Sequence, residues 1–87
     1  MTEQPIVSTR VRAKFRCISE TRTRHTPDQD LPVTYRFQAM YDAGLPEDER
    51  LAKYTPSGHV EIQVDNPRVE FTPGQDYYLD FTPAAQQ

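Results

Sequence analysis

The chain has no tryptophan, one cysteine, two histidines and three glycines among its 87 residues. Each scarcity excludes something. One cysteine cannot build a disulfide framework, and with two histidines it falls short of a four-ligand zinc centre. Gly44, Gly58 and Gly74 lie far apart, so no glycine-rich loop can cradle a phosphate. No apolar run approaches the roughly 18 residues that a membrane-crossing helix needs. The opening Met1-Thr2-Glu3-Gln4-Pro5 has no apolar stretch of the signal-peptide kind. The expectation is cytoplasmic synthesis, no membrane and no cofactor. Cys17 reads as a small buried hydrophobe.

Apolar residues are also sparse, at 36% of the chain with a mean hydropathy of −0.81. At this length one domain spanning residues 1–87 is expected, with polar tails at 1–7 and 83–87. Such a chain buries only about 60–65% of its unfolded surface. Its thin core would gain from neighbours, through self-association or incorporation in a larger assembly. Nine aromatics and an orderly apolar alternation argue against disorder.

What is present is alternation. From Arg10 to Arg16 every second residue is basic (Arg10, Arg12, Lys14, Arg16), and Val11, Ala13, Phe15 and Cys17 hold the other parity. On a strand this places one face in a core and a row of cations in solvent. The strand is long, about a dozen residues against a usual three to ten, which predicts a bend or bulge. Val33 to Asp42 alternates with Val33, Tyr35, Phe37, Ala39 and Tyr41 inward and Arg36 among the outward set. Val60, Ile62 and Val64 form a third inward set, and Tyr77, Leu79 and Phe81 a fourth, with Tyr78 and Asp80 outward. Val69-Glu70-Phe71 is a candidate fifth edge piece. Leu45 to Lys53 suggests a helix of two turns at most: Pro46 suits the first helical position, Glu47, Asp48 and Glu49 its positive end, and Lys53 its last turn. Short strands separated by Pro and Gly punctuation predict an all-β barrel or sandwich of four to five antiparallel strands with one short helix.

The net charge of −3 is unevenly spread, at +4 over residues 1–25 and −7 over 26–87. Two explanations compete. The cations can meet the acidic strands in cross-strand pairs, each worth under about 1 kcal/mol when exposed. Alternatively Arg10, Arg12, Lys14, Arg16 and Arg36, with Tyr78 and the loop residue Tyr54, form a binding face, as in a single-stranded nucleic-acid-binding barrel. Most other aromatics point inward, and a pI near 5.2 opposes binding to a polyanion.

Catalytic signals are weak. Ser57-Gly58-His59 sits in turn-forming sequence, and neighbours in sequence do not make a triad. Helix-start electrostatics accounts for Glu47 to Glu49 without a metal, and His25 and His59 lack partners at ligand spacing. Phe71-Thr72-Pro73-Gly74-Gln75-Asp76-Tyr77 is a Pro-Gly turn leading into an aromatic strand, since proline presets φ and glycine supplies positive φ.

The patterns Lys53-x-Thr55-Pro56-Ser57-Gly58, Asp65-Asn66-Pro67 and Phe71-x-Pro73-Gly74-x-x-Tyr77-Tyr78-x-Asp80-Phe81-Thr82-Pro83-Ala84 occur in that order. Together with the opening Val11-Arg12-Ala13-Lys14-Phe15-Arg16-Cys17, this text resembles a family of small uncharacterised proteins of tailed bacteriophages. The segment from Arg22 to Leu31 is longer and more polar than that pattern. The resemblance implies a phage origin, the host cytoplasm and the virion as a destination, and it brings no catalytic or binding residue to carry over. The leading expectation is therefore a non-catalytic phage accessory protein that binds other protein subunits, as a homo-oligomer or on phage structural proteins. The alternatives are the nucleic-acid module and a small inhibitor of a host factor.

Overall fold

The computed structural model describes residues 11–28 and 32–85. Among these residues four strands form one antiparallel sheet: β1 (Val11–Arg22), β2 (Val33–Met40), β3 (His59–Val64) and β4 (Asp76–Phe81). Their order is β3-β2-β1-β4, and the sheet curls into half a barrel. Three strands follow one another as hairpins and the fourth returns beside the first, which is the Greek-key order. The all-β expectation holds.

Alternation builds the core as the apolar parities require. Ala13, Phe15 and Cys17 of β1 and Val33, Tyr35, Phe37 and Ala39 of β2 are buried. They belong to the two central strands because those strands have neighbours on both sides. Val60, Val64, Tyr77 and Leu79 from the edge strands pack against them half-buried. The inner face is set by register: Phe15 opposes Ala39 and Tyr77, and Tyr35 opposes Ile62.

A half-barrel needs something across its open side. The β3–β4 connection supplies it by carrying Phe71 onto the inner face. Its ring meets Tyr35 and Phe37 at 5.2 Å and Tyr77 at 5.3 Å, all edge to face. This is the geometry that aromatic quadrupoles prefer. The Thr72 N–H donates to the Tyr77 hydroxyl at 2.9 Å, fixing the same corner. The turn then closes with the Gln75 N–H donating to the Thr72 carbonyl at 3.0 Å, with Gly74 at φ +94°. Proline at the second position and a positive-φ glycine at the third make this a type II turn.

The long first strand does carry a bulge. Cys17 opposes Phe37 while Ser19 opposes Arg36, so Ile18 is the extra residue. The insertion swaps parity beyond it. Glu20 and Arg22 consequently pair with Tyr35 and Val33 on the inner side, where Arg22 Nε meets Glu20 Oε2 at 3.2 Å. The fully buried Cys17 sits at the bend, its N–H donating to the Gln75 carbonyl and its own carbonyl accepting from Gly74 N–H. Burial pushes its thiol pKa up.

Three expectations are corrected. The Leu45 to Lys53 helix reduces to a single 3₁₀ turn, Glu47–Glu49. Pro46 stands outside it in an extended conformation, and Arg50 leaves the turn extended as well. Val69 to Phe71 is not a strand, because Phe71 is spent on covering the core. Tyr41 is 51% exposed rather than inward, because β2 ends at Met40.

Candidate functional site

Register decides how the outer face of the sheet works. Arg12 stands opposite Asp80, Lys14 opposite Tyr78 and Arg16 opposite Asp76, while on the other side Arg36 stands opposite Glu61. Arg12 makes a two-pronged contact with Asp80, Nε at 2.7 Å and Nη2 at 3.0 Å. Arg16 repeats it on Asp76 at 2.8 and 3.4 Å, and Arg36 Nε meets Glu61 at 3.0 Å. Forked guanidinium–carboxylate contacts are the strongest of exposed ion pairs, although each remains modest. Donating to Asp80 and Asp76 holds the two guanidinium groups still more firmly protonated. In turn, Arg16 draws the Asp76 carboxyl below its ordinary range.

The centre of this face is a linked cluster. The Tyr78 hydroxyl donates to Asp42 Oδ2 at 2.7 Å, and the Gly44 N–H donates to Asp42 Oδ1 at 2.9 Å. Lys14 Nζ lies 3.9 Å from the same carboxylate, and the Arg12 guanidinium lies over the Tyr78 ring at 5.1 Å. Asp42 is consequently drawn below the usual carboxylate range, chiefly by the tyrosine hydrogen bond. That bond raises the Tyr78 pKa above its ordinary value.

Arg50 fastens the rest of the loop 41–58. Its Nε donates to the Leu45 carbonyl at 2.9 Å and its Nη1 to the Lys53 carbonyl at 3.1 Å. Its guanidinium also lies 5.5 Å from the Tyr41 ring centre, which explains why that ring can leave the core. Between loop and sheet, Arg12, Lys14, Leu45, Arg50 and Tyr54 line a cavity of about 20 Å³. That is room for roughly one water and too small for an organic ligand.

Of the candidate residues, Arg12, Lys14, Arg16, Arg36 and Tyr78 share this outer face, and Arg10 lies outside the described residues. The three described arginines among them are each held by a carboxylate of a neighbouring strand. The sequence reading missed Asp42 as an anchor and Arg50 as a loop clamp. Asp42-Ala43-Gly44 carried a usable signal, since an aspartate two residues before glycine is a common turn closed by its own side chain. Nothing local marked Arg50, whose acceptors are backbone carbonyls of a folded loop.

Among the described residues no cluster of three or more His, Cys, Asp or Glu side chains can hold a metal. No helix among them is long and apolar enough to cross a membrane. Comparison with family models, curated proteins and solved structures finds no match.

Proposed function

We propose that this is a non-catalytic accessory protein of a tailed bacteriophage, made in the host cytoplasm, which docks on other protein subunits as a component of the particle. One observation carries the docking part: the sheet stops half-way round a barrel and leaves two edge strands open among the described residues. Apolar side chains of the inner face stay exposed at both edges, Ile62 at 36% and Phe81 at 48%. Monomeric β-proteins usually blunt their edges with lysine, proline, inward charges or bulges. Neither β3 nor β4 carries lysine or proline, and their charged side chains point to the outer face. The phage part rests on the resemblance in residues 11–17 and 53–84.

Nucleic-acid binding gains no support from the outer face. A phosphate would have to displace Asp80, Asp76 and Glu61 from the arginines it sought, and Tyr78 already donates to Asp42 while Arg12 covers one of its faces. Mass spectrometry of purified particles of the encoding phage tests the proposal. The chain is expected among the structural proteins at a fixed stoichiometry, and its absence from intact particles refutes the particle role. Titration with labelled single-stranded DNA at low salt is expected to give no saturable binding.

A further inference from the structure

We propose that the β3 edge is a twofold seam that joins two copies of this chain, with Ile62 facing its own symmetry mate. This deepens the docking reading and rests on it, and it names the partner and the register.

The backbone limits which registers are possible. The Ala39 N–H donates to the Gly58 carbonyl, so every second pair from there, ending with Val33 and Val64, exchanges the β2–β3 hydrogen bonds. Val60, Ile62 and Val64 therefore spend their N–H and C=O groups on β2. His59, Glu61 and Gln63 turn theirs to the free edge, and Asp65 follows in the same parity. An antiparallel twofold partner must pair these outward groups with its own, so the axis passes through a residue, and the registers that keep most of residues 59–65 paired are centred on Glu61, Ile62 or Gln63.

Side-chain chemistry separates the three. Centring on Glu61 puts that carboxylate directly against its copy. Centring on Gln63 opposes Glu61 to Asp65. Like charges directly opposite each other destabilise a sheet. Centring on Ile62 instead opposes Glu61 to Gln63 and His59 to Asp65 on the outer face, two pairs that can hydrogen-bond without setting like charges together. On the inner face it opposes Val60 to Val64 and Ile62 to Ile62, covering the apolar surface that the monomer leaves exposed. The side chains needed can also be reached: His59, Gln63 and Asp65 make no side-chain hydrogen bond or ion pair to any described residue, and Glu61 gives one carboxylate oxygen to Arg36 while its other oxygen accepts from none of them.

The opposite edge is a poorer candidate. On β4 the outward side chains are Asp76, Tyr78 and Asp80, and all three are engaged by Arg16, Asp42 and Arg12. A twofold centred on Tyr78 would set Asp76 against Asp80. A seam at β3 would run two half-barrels into one continuous sheet.

The test uses the full chain. Sedimentation equilibrium over micromolar concentrations is expected to show a monomer–dimer equilibrium. Gln63→Pro removes an edge N–H that the isolated fold does not use, so it should give a monomer that melts like wild type diluted to its monomeric state. His59→Glu, which sets like charges opposite each other twice per dimer, should weaken association about tenfold. Ile62→Cys should cross-link as a disulfide under mild oxidation, because directly opposed residues at non-hydrogen-bonded positions lie within disulfide reach. A wild-type protein that stays monomeric to about 100 µM, well above the micromolar range of ordinary specific association, overturns the seam. So does a dimer in which Ile62→Cys fails to cross-link, as it would if β3 paired with β4 of its neighbour. A monomer that is still found in particles defeats the seam and leaves the docking reading standing, whereas a dimer missing from particles does the reverse.

Discussion

Replacing Phe71 with alanine removes the side chain that covers the open side of the half-barrel, and its cost can be worked from the contacts. Truncating a fully buried phenylalanine costs about 3–5 kcal/mol. Phe71 is only half-buried, so about half of that applies, roughly 2 kcal/mol. Its edge-to-face contacts with Tyr35, Phe37 and Tyr77 add about 0.5–1.5 kcal/mol each where they are independent. They share one ring and overlap with the burial already counted, so the expected total is about 2–4 kcal/mol. A domain of this length has about 4–13 kcal/mol to lose, and the melting temperature should fall by roughly 10–25 °C. Urea unfolding followed by circular dichroism and tyrosine fluorescence measures the loss, with an unchanged denaturant slope confirming that the same surface unfolds. Phe81→Ala is the control: that residue also faces inward but is half exposed and touches none of these rings, so it should cost less than about 1 kcal/mol. A Phe71→Ala protein within about 0.5 kcal/mol of wild type, or a Phe81→Ala protein that loses as much, would refute the view that the connection completes the core.

Gly74→Ala should destabilise by about 1 kcal/mol or somewhat more through backbone strain alone, since φ is +94° and a new methyl group would meet nothing within 4 Å; an unchanged urea midpoint would count against the type II turn. Asp42 and Asp76 have depressed pKa values, so they contribute stability above the ordinary carboxylate range that is lost as pH falls through their folded values, below about 4. Asp42→Asn should flatten that acid limb in pH-dependent melts. Tyr78 is raised, so its contribution is complete below about pH 10 and lost as pH climbs through its folded value. Tyr78→Phe should remove that alkaline loss while lowering stability at neutral pH. Cys17 should resist Ellman's reagent in the native protein and react at the rate of unfolding, and stoichiometric labelling within seconds would contradict its burial.

Much of the fold is legible because strand alternation is a local property. Ala13, Phe15, Cys17, Val33, Tyr35, Phe37 and Ala39 could be assigned inward from parity alone, and all seven are buried. The bulge was legible from strand length. Parity fails where it meets an end or an insertion: Tyr41 lies just past the end of β2, and Glu20 and Arg22 change sides beyond Ile18. The helix signal in Leu45 to Lys53 was real as local chemistry. It yields to tertiary needs, because Arg50 must reach the Leu45 and Lys53 carbonyls from an extended loop.

The row of cations marks the division most clearly. Period two by itself determined that Arg12, Lys14 and Arg16 would share a face and that the residues between them would form the core. Whether that face was a bare positive surface or a neutralised one could not be read from the chain, because Asp76 lies 60 positions from Arg16 and Asp80 lies 68 from Arg12. The Greek-key return of β4 to the side of β1 brought those carboxylates opposite the arginines, and the same return carried Phe71 across the core. Alternation is fixed by the geometry of each strand, whereas strand order depends on which edges the connections bring together, and that was decided only in the folded molecule.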